Sequence, residues 1–126
     1  MKAVRIHAYG GPEQLRYEDA PDPKPALDEV LVKVTATSVN PIDYKLRSGA
    51  IKGRMPLEFP AILGRDVSGE VVGVGAEVTT FKSGDRVIGL VNGAYAEYLT
   101  AKASVLTAVM RCPCALAGAK IVTRPR

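Results

Sequence analysis

Between Asp28 and Val39, the apolar side chains of Val30, Val32, Val34 and Ala36 fall on alternate positions. A period of two puts them on one face of an extended strand. A strand with one apolar face cannot fold alone, so the rest of the chain has to supply neighbours that cover it. The same period recurs in shorter pieces. In Lys2–Tyr9, Val4, Ile6 and Ala8 alternate with Arg5, His7 and Tyr9, which predicts a half-buried strand with His7 outward. Leu15 and Tyr17 mark another short strand, and Val67–Val74, Arg86–Leu90 and Ser104–Val109 read as three more.

Turn signals separate these pieces. The 126 residues include twelve Gly and nine Pro. They cluster at Gly10-Gly11-Pro12, at the extended linker Pro21-Asp22-Pro23-Lys24-Pro25, and within residues 50–60. Gly75-Ala76-Glu77 and Lys82-Ser83-Gly84-Asp85 read as further turns. Val91-Asn92-Gly93 carries the Asn-Gly pair of a tight hairpin, which predicts Ala94–Thr100 as the partner strand. One segment breaks the period. Asn40 suits a helix cap, Pro41 the first helical position and Asp43 the positive end of the helix dipole, while Ser48-Gly49 reads as the stop. The expectation is a mainly β domain of six to eight short strands with one or two short helices, closed as a small barrel or sandwich.

Charge divides the chain at the same place as pattern. Residues 1–109 hold thirteen Lys/Arg and thirteen Asp/Glu, so the net +4 comes from Arg111, Lys120, Arg124 and Arg126. A balanced body has no electrostatic footprint for nucleic acid. Both cysteines, Cys112 and Cys114, also lie after Val109. The reading is therefore one domain over 1–109 and an atypical tail over 110–126. No disulfide framework, signal peptide or long apolar run is visible, which points to the cytoplasm and away from a membrane.

Familiar chemical motifs fail in context. Gly73-Val74-Gly75 lacks the third glycine of a dinucleotide loop, since Val78 stands in its place, and Val78-Thr79-Thr80-Phe81 does not open a helix. A single histidine, His7, and the pair Cys112/Cys114 are too few for a structural zinc. There is no Gly-x-Ser-x-Gly elbow.

Five segments in order carry a resemblance. Met1-Lys2-Ala3-Val4 to Gly10-Gly11-Pro12-Glu13 opens it. Ser38-Val39-Asn40-Pro41-Ile42-Asp43 runs on to Arg47-Ser48-Gly49, and Phe59-Pro60 leads to Gly64-Arg65-Asp66-Val67-Ser68-Gly69. Val74-Gly75 to Gly84-Asp85-Arg86-Val87 and Gly93-Ala94-Tyr95-Ala96-Glu97-Tyr98 complete the set. Together they resemble the quinone oxidoreductases of the medium-chain dehydrogenase/reductase superfamily (the zeta-crystallin group), whose N-terminal domain is a GroES-like, partly open β-barrel. Zinc alcohol dehydrogenases of that superfamily have a cysteine where this chain has Asn40, and His-Glu where it has Arg65-Asp66. Amide and guanidinium groups are poor zinc ligands, so the resemblance points to the zinc-free branch.

The resemblance implies an NAD(P)H-dependent oxidoreductase, NADPH as cofactor and a small-molecule quinone or enone as hydride acceptor. It carries over Asn40 as a candidate catalytic residue, either donating to the substrate carbonyl or simply capping the helix. Asp43, Tyr44, Lys45 and Arg47 come over as substrate-binding candidates, with Tyr44 either stacking on a ring or packing. For Arg65 and Asp66 an ion pair at the barrel mouth is expected. The family continues into a nucleotide-binding domain, whereas residues 110–126 do not match that continuation. The expectation is a truncated or frameshifted chain, inactive by itself and prone to dimerise. The competing reading is a non-catalytic barrel module that binds a protein or a small hydrophobic ligand. A ring-forming co-chaperonin is disfavoured because residues 50–58 are charged and Pro-rich.

Overall fold

The computed structural model describes residues 1–109. The tail reading over 110–126, with its two cysteines, lies outside the described residues. Eight strands and one helix follow in the order β1 (Lys2–Ile6), β2 (Arg16–Asp19), β3 (Glu29–Ala36), α1 (Pro41–Ser48), β4 (Ala61–Ile62), β5 (Asp66–Val74), β6 (Arg86–Leu90), β7 (Tyr98–Lys102) and β8 (Leu106–Ala108). Single 3-10 turns at Pro12–Gln14 and Ala103–Val105 complete the set. The strands form an antiparallel three-stranded sheet, β2-β1-β4, and a five-stranded one, β7-β3-β5-β6-β8. The fold is mainly β, and the two sheets do not close into a continuous barrel among the described residues.

The longest predicted strand is the centre of the larger sheet. Val30 and Val32 are fully buried on β3, in one cluster with Val67, Val71 and Val87 of the neighbouring strands. Leu99, Ala101 and Leu106 close this core from β7 and β8. The register of β3 against β5 shifts twice, between Leu31 and Val32 and between Val34 and Ala36. These bulges bend the strand, and Ala36 emerges into solvent instead of continuing the buried face.

Three expectations are corrected. Asn92-Gly93 does turn the chain, with Gly93 at φ +82°, but it makes no hairpin. Both edges of β6 are already taken by β5 and β8, so the following segment crosses to the other sheet. There Ala96 bridges Ala3, the Val4 N–H donates to the Tyr95 carbonyl at 2.8 Å, and the strand that forms afterwards, β7, pairs with β3. On β1 the buried residues are Ala3 and Ile6, on opposite faces, because this strand is covered from both sides. The last predicted strand begins with a 3-10 turn and is paired only over Leu106–Ala108.

A second core lies under the helix. Ile6, Leu46, Ala61 and Leu63 are buried together, with Ile42, Ile51, Met55, Leu57 and Tyr95 packed around them. The helix starts with Pro41, whose missing N–H costs nothing there, and ends at Gly49 in the left-handed region at φ +80°. Leu46 thereby packs α1 against Ile6 of β1 and Ala61 of β4, and the site candidates lie on this helix.

Candidate functional site

Asn40, Asp43, Tyr44 and Arg47 are spaced by three, four and seven residues, which puts them on one side of α1. They line a cleft of about 360 Å³ with Leu15, Val39, Pro41, Leu63 and Tyr95. Lys45 is exposed and lies outside this cleft, so the structure separates it from the other four. Tyr44 is half exposed, with its ring at the rim. The Arg47 Nε donates to the Gly10 carbonyl at 3.3 Å, which ties the end of the helix to the loop after β1.

Asp43 is the structural hinge of the cleft. It is the one buried charged residue among the described residues, 3% exposed. Its carboxylate accepts from the Asn40 N–H at 2.8 Å, the Tyr95 hydroxyl at 2.9 Å and the Gly64 N–H at 3.2 Å. Those three donors come from the helix start, the chain crossing after β6 and the turn before β5. One carboxylate therefore joins three elements distant in sequence. Gly64 sits at φ +97°, and a side chain there would run into the Tyr95 ring and backbone, so glycine is required for this approach. Burial, and then the Asp43 carboxylate, push the Tyr95 hydroxyl well above the ordinary tyrosine range. Tyr95 is thus a neutral donor throughout the physiological range. The sequence candidates did not include it; its only signal is its place in the Gly93–Tyr98 segment.

The second polar cluster centres on Asp66. Its Oδ2 accepts from the Ser38 hydroxyl and from the Asn40 Nδ2 at 2.8 Å, and Asn40 Nδ2 also donates to Ser38 Oγ at 3.0 Å. These donors, Ser38 first, hold the Asp66 carboxyl below the usual carboxylate range. The expected Arg65–Asp66 ion pair does not form; Asp66 turns to Ser38 and Asn40 instead. The amide hydrogens expected to reach a substrate carbonyl from Asn40 are engaged by Ser38 and Asp66. Asn40 in this arrangement orders the cleft wall and does not offer a donor to its interior.

A wider, shallow apolar groove of about 630 Å³ continues from the cleft through Leu15, Val39 and Tyr95, along Val4, Val34 and Ala36. These residues do not offer a seat for the nicotinamide cofactor that the resemblance implies. Its phosphates need free N–H groups at a helix start. At Gly73–Val78 the Gly75 N–H is bound to the Glu29 carbonyl at 2.7 Å, and the Val78 N–H to the Gly75 carbonyl at 3.1 Å. The Glu77 N–H is likewise taken by the Leu27 carbonyl at 2.9 Å, and no helix follows the segment, so it does not fit that role. Among the described residues no helix is long and apolar enough to cross a membrane, and no group of three His, Cys, Asp or Glu side chains could hold a metal.

The family model for the alcohol dehydrogenase GroES-like domain matches residues 26–111. A chloroplastic quinone-oxidoreductase homologue from Spinacia oleracea is 40% identical over 113 residues, 86% of this chain and 34% of its own length. The quinone oxidoreductase of Homo sapiens is 43% identical over 104 residues, 80% of this chain and 31% of its own. Among solved structures, the Escherichia coli quinone oxidoreductase complexed with NADPH superimposes with a TM-score of 0.80 at 31% identity, covering 87% of this chain and 33% of that one. The chain thus spans about a third of the length of the curated relatives it matches.

Proposed function

The chain belongs to the alcohol dehydrogenase GroES-like domain family, and from that membership we propose that residues 1–109 form the substrate-binding domain of a zinc-independent, NADPH-dependent quinone oxidoreductase. The observation that supports the reading is the cleft beside α1, which is lined by the half-exposed Tyr44 together with apolar Leu15, Val39 and Leu63. A quinone or enone ring can stack on Tyr44, with Leu15, Val39 and Leu63 as the apolar side chains of the same cleft. NADPH supplies the hydride when bound. This chain's residues bind the acceptor, keep water from one face of it and fix its orientation through a wall held by Asp43 and Asp66.

The cofactor contacts are assigned to a part of the enzyme other than these residues, because no phosphate cradle fits here. Hydride transfer requires both reactants within about 3–3.5 Å. By this reading residues 1–109 bind the acceptor, and transfer needs the cofactor held beside them. A reducing aqueous compartment, the cytoplasm by the sequence reading, suits it.

Calorimetric titration tests this. Duroquinone binds the chain with measurable heat, and NADPH binds at least about tenfold more weakly, a difference of 1.4 kcal/mol. Tight NADPH binding, or no quinone binding, contradicts the proposal. A second reading rests on the apolar groove along Val4, Val34 and Ala36. As a non-catalytic module the domain would hold an apolar ligand, or a second copy of itself, there. Sedimentation as a dimer that duroquinone leaves unchanged would favour that reading.

A further inference from the structure

Arg65 is the one side chain in this region whose chemistry the fold does not use. Its Nε is enclosed by protein and has no hydrogen-bond acceptor. Its guanidinium forms no ion pair among the described residues. Asp66, adjacent in sequence, accepts its hydrogen bonds from Ser38 and Asn40, so it offsets the charge of Arg65 without satisfying any of its N–H groups. Arginine carries its charge at every physiological pH, and a planar fork without a partner is matched to an oxygen anion. Arg65 lines a shallow cleft of about 260 Å³ with Asn40, Ile42, Asp66 and Leu90. Asn40 is shared with the cleft beside α1, so the two clefts meet at that residue.

We propose that Arg65 binds the negatively charged oxygen of a phenolate-type or enolate-type ligand at the junction of the two clefts. This deepens the proposed function, on which it rests: a reduced quinone or enone bears such an oxygen. Arg65 then selects ligands by their anionic oxygen, while Tyr44 and the apolar side chains of its cleft hold the ring. Asp66 faces the same cleft and balances its formal charge. The anion is therefore held by direct donation from the guanidinium and not by a general positive field.

The full chain and its Arg65→Met and Arg65→Lys variants are titrated with 4-nitrophenol, read by the absorbance of its phenolate, and separately with neutral duroquinone. The native chain binds the phenolate at least about tenfold more tightly than the neutral phenol, which appears as a drop of one unit in the probe's apparent pKa. Arg65→Met loses that preference, keeps duroquinone binding and melts higher than the native chain, since an unsatisfied buried donor is gone. Arg65→Lys keeps part of the preference. A merely structural Arg65 gives the opposite melting shift. If duroquinone binds but the native chain does not prefer phenolate, the inference is overturned and the quinone reading stands. If neither ligand binds, both fall.

Discussion

The interior behind the five-stranded sheet is lined by Val30, Val32, Val67, Val71 and Val87, while the interior beside α1 turns on the carboxylate of Asp43. The first is held by burial, which has no direction and tolerates exchange among apolar residues of similar volume. The second is held by three hydrogen bonds from Asn40, Tyr95 and Gly64, each of which fixes a distance. Valines give the domain its stability, and the carboxylate gives the cleft its shape. A site for a flat ring needs the second kind of interior, because a wall that repacks freely cannot orient a ligand.

Paired substitutions sharpen that difference. Asp43→Ala leaves two or three donors unsatisfied and costs about 3 kcal/mol, the largest effect expected. Val32→Ala costs about 2 kcal/mol through a cavity in the sheet. Urea unfolding gives both values. Quinone binding separates them: Asp43→Ala loses it, whereas Val32→Ala retains it at temperatures where that variant is folded. Equal losses of binding would erase the distinction between the two interiors.

The two interiors also differ in how well they can be read from the sequence. Alternating valines announce β3 because burial on one face imposes a period of two. Nothing periodic announces Asp43, whose three partners come from residues 40, 64 and 95. Helical spacing explains why four of the residues carried over by resemblance, Asn40, Asp43, Tyr44 and Arg47, line one cleft while Lys45 stands apart. The two-residue strand β4 is too short to carry a pattern. The Asn-Gly hairpin failed because strand partners are chosen by the whole sheet, and β6 had no free edge. The expected Arg65–Asp66 pair failed for a local reason. Ser38 and Asn40 already donate to the Asp66 carboxylate, and they take the place the guanidinium was expected to fill.

Smaller effects come from the hydroxyl and the second carboxylate. Tyr95→Phe removes one donor to Asp43 and costs about 1 kcal/mol at neutral pH. Its pH dependence is more specific. The folded state keeps Tyr95 protonated after the unfolded chain has begun to ionise near pH ~10, so native stability falls above that value. Tyr95→Phe removes that part of the alkaline slope, as measured by urea midpoints across pH. Asp66 acts at the other end. Its carboxyl is held low when folded, so its contribution is present above about pH 4 and is lost as the pH drops through the folded value. Asp66→Asn flattens that acid limb, the smallest change expected. An unaltered acid limb would mean that the Ser38 and Asn40 contacts do not stabilise the ionised form.

The account rests most directly on the cleft between α1 and Tyr95, and backbone and tyrosine NMR resonances followed during a duroquinone titration test it. The expected result is shifts at Tyr44, Arg47, Leu63 and Tyr95 that saturate together, with Lys45 and the valines of the larger sheet unmoved. Saturating shifts confined to the groove along Val4 and Val34, or spread evenly over the surface, would contradict it.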